Sequence, residues 1–289
     1  MKLNSLFISI SILFLLSCEG AVPKQKPAKT PVSNEKNVRL EGMPIKHSGD
    51  IKTNSDRALA YFSALENGDG KFFRENVPKE NHFQHNAYYK HGNEGYKTLV
   101  KESKASGLKV DVYRLAEFND YVFAHSVFKD SLSSSVGIDI FKFSNNKIVE
   151  HWFGREEINK TAENPSIQFD GSFETLYGTN DAVSSKVAAN FIRFLRIEGE
   201  YKKQYQMVSE NYTEHNSLLA KSRNPVGNYY FELKKGGVTL LYDNLVTSVG
   251  AGNFVVTVSK GTRNGSPVQI FDLFRFEDNL VVEHWDVIN

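Results

Sequence analysis

Two stretches of this chain carry the same set of groups able to handle protons. In the first, Asp139 is followed by Glu150-His151-Trp152; in the second, Asp272 is followed by Glu283-His284-Trp285-Asp286. The copies are offset by 133 residues at the aspartate, the histidine and the tryptophan, and the chain has no other tryptophan. A carboxyl group walled by phenylalanine loses solvation, which raises its pKa towards the range of an acid/base catalyst. A neighbouring imidazole, with an unperturbed pKa of about 6.5, holds or exchanges the proton. Such a pair abstracts a proton next to a carbonyl, or protonates an oxygen, without any cofactor. The plainer alternative is a satisfied cross-strand pair that only fixes a hairpin.

A second element also recurs. His85-Asn86 follows Gln84, and His215-Asn216 follows Glu214. Such a pair donates into a cavity or serves as turn chemistry. His125 lies mid-strand in Val122-Phe123-Ala124-His125-Ser126-Val127, and its equivalent in the second copy is Val258. His85, His125, His151 and Asp139 would make a plausible zinc or iron set, but their spacings are wide and no H-x-H or H-E-x-x-H cluster is present. No Gly-rich phosphate loop and no G-x-S-x-G occurs, so nucleotide binding and serine hydrolysis have no support. With 35 basic against 34 acidic residues, nothing suggests a nucleic-acid binder.

These groups need a scaffold, and the scaffold also repeats. Ala58, Tyr61, Phe62 and Leu65 follow helical spacing, and further helices are predicted over residues 71–75 and 93–106. Strands are predicted over 109–115, 121–129, 136–143 and 147–153. The second copy repeats the order. Val187, Phe191, Phe194 and Leu195 lie on a helix, helices follow over 201–209 and 226–235, and strands over 239–246, 254–260, 268–276 and 280–288. The offset grows from 130 at His85/His215 to 133 at the tryptophans, which puts about three extra residues in the loop 217–225. Helices followed by a meander of four antiparallel strands make an α+β fold, a sheet packed on helices. A three-residue loop, Glu277-Asp278-Asn279, would pair Phe276 with Leu280 and hence Asp272 with His284, with Asp286 on the same face. A two-residue loop would reverse the parity and set Asp272 opposite Trp285.

The N-terminus gives an address. Lys2 precedes an apolar run from Leu6 to Leu16 that leads into Leu15-Leu16-Ser17-Cys18, and Cys18 is the only cysteine. The run is short for a membrane span and fits a signal h-region. It resembles a bacterial lipoprotein signal with Cys18 as the lipidated first residue of the mature chain. That implies a palmitate-type anchor and an extracytoplasmic place in the cell envelope. Residues 19–50, with Pro23, Pro27, Pro31 and Pro44, read as a disordered tether. The predicted domains are 51–155 and 181–289, and the linker 156–180 is expected to pack across the mouth of a sheet.

The order of helices, His-Asn, the His125 strand and the closing Glu-His-Trp hairpin resembles the SnoaL-like (polyketide cyclase-like) group of the NTF2-like superfamily, in tandem. The resemblance covers residues 53–153 and 181–289, and Glu283-His284-Trp285-Asp286 carries it best. It implies a cone, a curved antiparallel sheet around helices with an apolar pocket inside. It also implies, for cyclase members, cofactor-free aldol closure by acid/base catalysis. The family's acid/base aspartate matches Asp286 and its partner matches Asp272. The first copy has Phe153 at the position of Asp286, and the second lacks the histidine of the His125 strand. Two functions follow as expectations. In one, both cones bind a small apolar molecule without cofactor, through His85, Asn86, His125, Asp139 and His151 and through His215 and Asn216. The alternative within this reading is that the domains form a pseudo-dimer or homodimer through their sheet faces. In the other, the second domain is an acid/base enzyme of aldol cyclase or isomerase type. Asp286 is then the general acid/base, His284 and Asp272 set its protonation, and His215 orients the substrate.

Overall fold

A computed structural model describes residues 43–178, 181–219 and 224–289. The predicted signal, Cys18 and most of the tether lie outside them, as does part of the loop expected to hold the extra residues. The described residues form one compact unit. Among the described residues no helix is long and apolar enough to cross a membrane.

The first half opens with α1 (Asn54–Asn67). Thr53 caps it by accepting from Asp56 N at 3.0 Å, and Asp56 returns the bond to Thr53 N at 2.8 Å. The helix buries Ala58, Tyr61, Phe62 and Leu65 and stops at Gly68, whose φ of 68° favours glycine. Then come α2 (Gly70–Asn76), the short β1 (Phe83–Gln84), α3 (Gly92–Ser106), β2 (Lys109–Phe118), β3 (Tyr121–Lys129), β4 (Ser134–Ser144) and β5 (Lys147–Glu157). The second half runs α4 (Asp181–Phe191), a π-helical stretch over Ile192–Ile197, a 3-10 turn over Tyr201–Gln206, and β6 (Val208–Glu214). It closes with α5 (Tyr229–Lys235), β7 (Leu240–Ala251), β8 (Phe254–Arg263), β9 (Ser266–Glu277) and β10 (Leu280–Ile288).

The two sheets have the same order, β1-β5-β4-β3-β2 and β6-β10-β9-β8-β7. The α+β layering is as expected, but each sheet has five strands rather than four. The additional strand, β1 or β6, runs parallel to the last one. The helix predicted over 201–209 is therefore cut short. Its last residues, Val208 and Ser209, begin β6. The expected tether also ends early: Ile45 N donates to Val112 O at 2.7 Å, so an apolar residue covers the open edge of β2.

Both faces of each sheet bury apolar residues, although β7 leaves Leu241 and Val246 exposed. The inner face of the first packs Phe141 and Phe143 on Tyr61, Phe73 and Tyr96 of its helices, and that of the second packs Phe274 and Phe276 on Phe191, Leu195 and Tyr229. The outer faces share a third core in which Phe123, Ile138, Ile140 and Trp152 meet Phe254, Val256, Phe271, Leu273 and Trp285. Residues 169–172, after β5, pack against this layer. The fully buried Arg114 donates to the carbonyls of Phe169, Asp170 and Ser172 and stacks on Trp285, 4.0 Å from ring centroid to guanidinium carbon. Gly171 passes so close that an added Cβ would lie 2.4 Å from Glu283 Oε2 and 2.9 Å from the Trp285 ring.

Candidate functional site

The β9–β10 hairpin sets the site. Its turn is two residues long rather than three: Glu277 pairs with Leu280, and Asp278 and Asn279 both take positive φ, 49° and 63°. The expected three-residue loop is corrected by this register. The turn is of the tight kind that asparagine and aspartate tolerate. A two-residue loop alone would put Asp272 and His284 on opposite faces. A bulge at Val282 reverses the parity a second time, so His284 pairs with Phe274 and Asp286 with Asp272. Asp272, His284 and Asp286 thus share the inner face, and the first half repeats the device with Asn145-Asn146 and a bulge at Val149.

The parallel strand brings in a residue that the hairpin alone does not reveal. Glu214 lies beside His284 in the register of β6 and β10. Its two oxygens sit 3.0 and 3.1 Å from His284 Nδ1, while His284 Nε2 is 2.9 Å from Asp272 Oδ1. Both ring nitrogens face carboxylates, and only the imidazolium donates from both. Burial alone would discharge the ring, but Glu214 and Asp272 outweigh it and hold its pKa up at about 10.

Around this pair lies a connected set of hydroxyls. Tyr242 donates to Asp272 Oδ1 at 2.9 Å, and Tyr229 donates to Asp286 Oδ2 at 2.9 Å. The two hydroxyls are 3.4 Å apart. Tyr212 donates to Glu214 Oε2 at 2.7 Å. Asn216 Nδ2 lies 2.9 Å from both oxygens of Asp286. Burial pushes the Asp286 carboxyl up, and Glu214 and Asp272 push the same way against His284 and Asn216. The π-helical stretch turns Arg196 inward, with its guanidinium carbon 3.4 Å from the Tyr229 ring centroid and no hydrogen-bond acceptor among the described residues.

Asp286 also lines a cleft of about 250 Å³ with Asn216, Leu218, Leu233, Val238 and Ile288. The first half contributes Glu156 to the same cleft. Glu156 accepts from Arg263 at 2.9 Å and from Ile288 N at 3.2 Å. Burial, with Asp286 nearby, raises it to about 7 against the pull of Arg263.

In the first half the inner-face histidine has different neighbours. His151 Nε2 is 2.9 Å from Asp139 Oδ1, but Nδ1 meets Tyr96 OH at 3.1 Å and Gln84 Nε2 at 3.3 Å. Both of those groups can donate, so His151 is the neutral imidazole, and burial lowers its pKa. Gln84 in place of Glu214 makes the difference. Arg155 completes the Asp139 pair at 2.9 Å. Asn86 hydrogen-bonds the backbone of Tyr88 and Phe153 rather than an acid.

Three predicted pocket residues lie elsewhere. His215 stacks on Trp285 at 4.4 Å and bonds Glu283 at 3.2 Å, on the outer face, so it does not sit with Asp286. His85 likewise stacks on Trp152 at 4.0 Å and bonds Glu150. The reason is alternation: Glu214 and Asn216 point inward, and the residue between them points out. His125 also faces the layer between the sheets, where Arg114 donates to its Nδ1 at 2.9 Å. His85, His125, His151 and Asp139 therefore do not converge, and among the described residues no group of three such side chains is placed to hold a metal.

No protein-family model matches the chain, and no curated protein matches it. Among solved structures it is similar to a putative polyketide cyclase from Bacillus cereus, at 20% identity and a TM-score of 0.34, over 40% of this chain and 89% of that one. It is similar to a SnoaL-like polyketide cyclase from Agrobacterium tumefaciens, at 16% identity and a TM-score of 0.32, over 37% and 93%. It is also similar to an NTF2-like protein of unknown function from Cytophaga hutchinsonii, at 13% identity and a TM-score of 0.32, over 38% and 95%. Likeness at this level bears on no residue of the site.

Proposed function

We propose that the second half is a cofactor-free acid/base site that moves a proton on a small carbonyl compound, and that the first half is a binding copy. One observation carries the reading: Asp286 is buried, its pKa is raised, and it faces a cleft on one side and a hydrogen-bonded chain on the other. A base with a raised pKa takes a proton from carbon more readily than an ordinary carboxylate. Asn216 and Tyr229 hold both its oxygens in place. The Tyr229 and Tyr242 hydroxyls link Asp286 to Asp272, which the His284 imidazolium holds in position, while a proton taken from the substrate rests on Asp286. Its return completes an isomerisation or an aldol-type step. Leu218, Leu233, Val238 and Ile288 would hold the apolar body of the substrate. The first half, with Phe153 in place of the acid, has no such base and is read as binding only.

The same proposal puts the mature chain in a bacterial envelope, anchored through lipidated Cys18. The support is the residue pattern of 2–18. Loss of labelled palmitate incorporation on Cys18→Ala tests the anchor. For the chemistry, acetone and cyclohexanone are incubated with the protein in heavy water and deuterium uptake beside the carbonyl is followed by NMR. The wild type accelerates uptake, and Asp286→Asn loses about a hundredfold or more of it. Equal uptake by both proteins, or none by the wild type, overturns the reading.

A further inference from the structure

The first half has its own pocket, and its charged groups are placed differently from those of the second. A cavity of about 330 Å³, at the small end for small-molecule sites, is lined by Tyr61, Leu65, Leu99, Leu108, Phe128 and Phe153, with Arg155 among them. Three charge-changing positions separate this lining from the cleft of the second half, 153/286, 155/288 and 130/263. Where the second half has Asp286 the first has Phe153, and where the second has Ile288 the first has Arg155. The first exchange removes an acid, the second, on the same face two residues on, adds a cation, and the third puts Asp130 where the second half has Arg263.

Arg155 is held in a fixed pose. Its NH2 reaches the fully buried Asp139 at 2.9 Å and its NH1 donates to Gly154 O at 2.7 Å. Its guanidinium carbon lies 3.6 Å from the Phe128 ring centroid and 5.0 Å from that of Phe153. These bonds use two of five N–H groups, and 21% of the side chain remains exposed. A guanidinium oriented by a buried carboxylate and flanked by rings is suited to two-pronged recognition of a carboxylate. The two acids of the lining, Glu102 and Asp130, are exposed and already engaged, the first by Tyr89 OH at 3.2 Å and the second by the N–H groups of Leu132 and Ser133.

We infer that the first half binds a small amphipathic monocarboxylic acid, its carboxylate on Arg155 and its apolar body among Tyr61, Leu65, Leu99, Leu108, Phe128 and Phe153. The inference rests on reading the first half as a binding copy and is independent of proton transfer at Asp286. Octanoate is the probe, with octanamide as its neutral control, titrated calorimetrically into the full chain. Octanoate binds at one site per chain, at least about tenfold more tightly than the amide. Arg155→Gln removes the preference. Arg155→Lys, which keeps the charge opposite Asp139, retains part of it. Leu99→Trp, which fills the cavity and leaves Arg155 in place, abolishes binding, and Asp286→Asn leaves it unchanged. Equal binding of acid and amide, no binding of octanoate to the wild type, or a loss on Asp286→Asn rather than on Arg155→Gln or Leu99→Trp overturns the inference. None of these results alters the deuterium-uptake test of the second half.

Discussion

Replacing Glu214 by glutamine should turn the buried pair of the second half into that of the first. In the wild type, His284 donates from Nδ1 to Glu214 at 3.0 Å and from Nε2 to Asp272 at 2.9 Å. In the Glu214→Gln variant the new amide nitrogen would face Nδ1, as Gln84 Nε2 faces His151 Nδ1 at 3.3 Å, and the ring would lose its proton. Stranding a charge by removing one partner of a buried pair costs ~3–5 kcal/mol. Here the ring can neutralise instead, so the loss at pH 7 should be about 3 kcal/mol. The sign with pH is fixed. The folded pKa of His284 is raised from 6.5 to about 10, so its contribution is fully present below pH 6.5 and lost as the pH rises through 10. The stability gap between wild type and Glu214→Gln should therefore close across that window. Urea unfolding at a series of pH values measures the gap, and long-range nitrogen NMR reports which ring nitrogens of His284 carry protons. A wild-type ring with one protonated nitrogen at pH 7, or a gap that widens towards pH 10, would refute the reasoning.

Three other outcomes are expected. Asp286→Asn should change stability by no more than about 1 kcal/mol at pH 7, because Asn216 and Tyr229 keep an oxygen to bond; chemical denaturation checks this. For Glu156, raised from 4.5 to about 7, the folded state favours the protonated acid, so wild-type stability should fall as the pH rises from 4.5 through 7. Glu156→Gln should flatten that part of the profile in melting experiments. Gly171→Ala should lose about 2 kcal/mol or more, since φ is +96° and the new methyl would meet Glu283 and His215 at 2.4 and 2.8 Å. An unchanged unfolding midpoint would contradict the packing assigned to that segment.

The repeated hairpin was legible because both copies keep the same residue types at one spacing, and the α+β layering followed from helical periodicity and strand runs. The inward set of Asp272, His284 and Asp286 was reached through an incorrect turn, and the unforeseen bulge at Val282 restored the parity. The fifth strand left no mark, because β6 reads Val-Ser-Glu-Asn-Tyr-Thr-Glu, too polar to signal burial. Missing that strand hid Glu214, although its place before His215-Asn216, matched by Gln84, was visible. The histidines suffered from the same gap. Without a strand there was no alternation to send His85 and His215 outward and their neighbours in. Tyr229, Tyr242 and Arg196 approach from α5, β7 and the π-helical stretch, and no local pattern announces such convergence.

The two halves exchange polar groups where their closing strands end. The last residue, Asn289, accepts from Arg155 N at 3.3 Å, beside the cation that marks the first pocket. Glu156, one position further along β5, enters the second half's cleft and accepts from Ile288 N. Gln269 of β9 donates to His85 O at 3.1 Å, next to the turn that orders Asn86. The ends of β5 and β10 thus lie together and exchange polar groups, while the shared apolar layer behind them keeps both sheets in register. A change at Glu156 therefore reaches the second half's cleft from the first half. Joining the halves in one chain fixes that geometry without the entropy cost of association. On the functions proposed above, the divergence at 153 and 155, against 286 and 288, would separate a pocket that recognises an acid from one that supplies it.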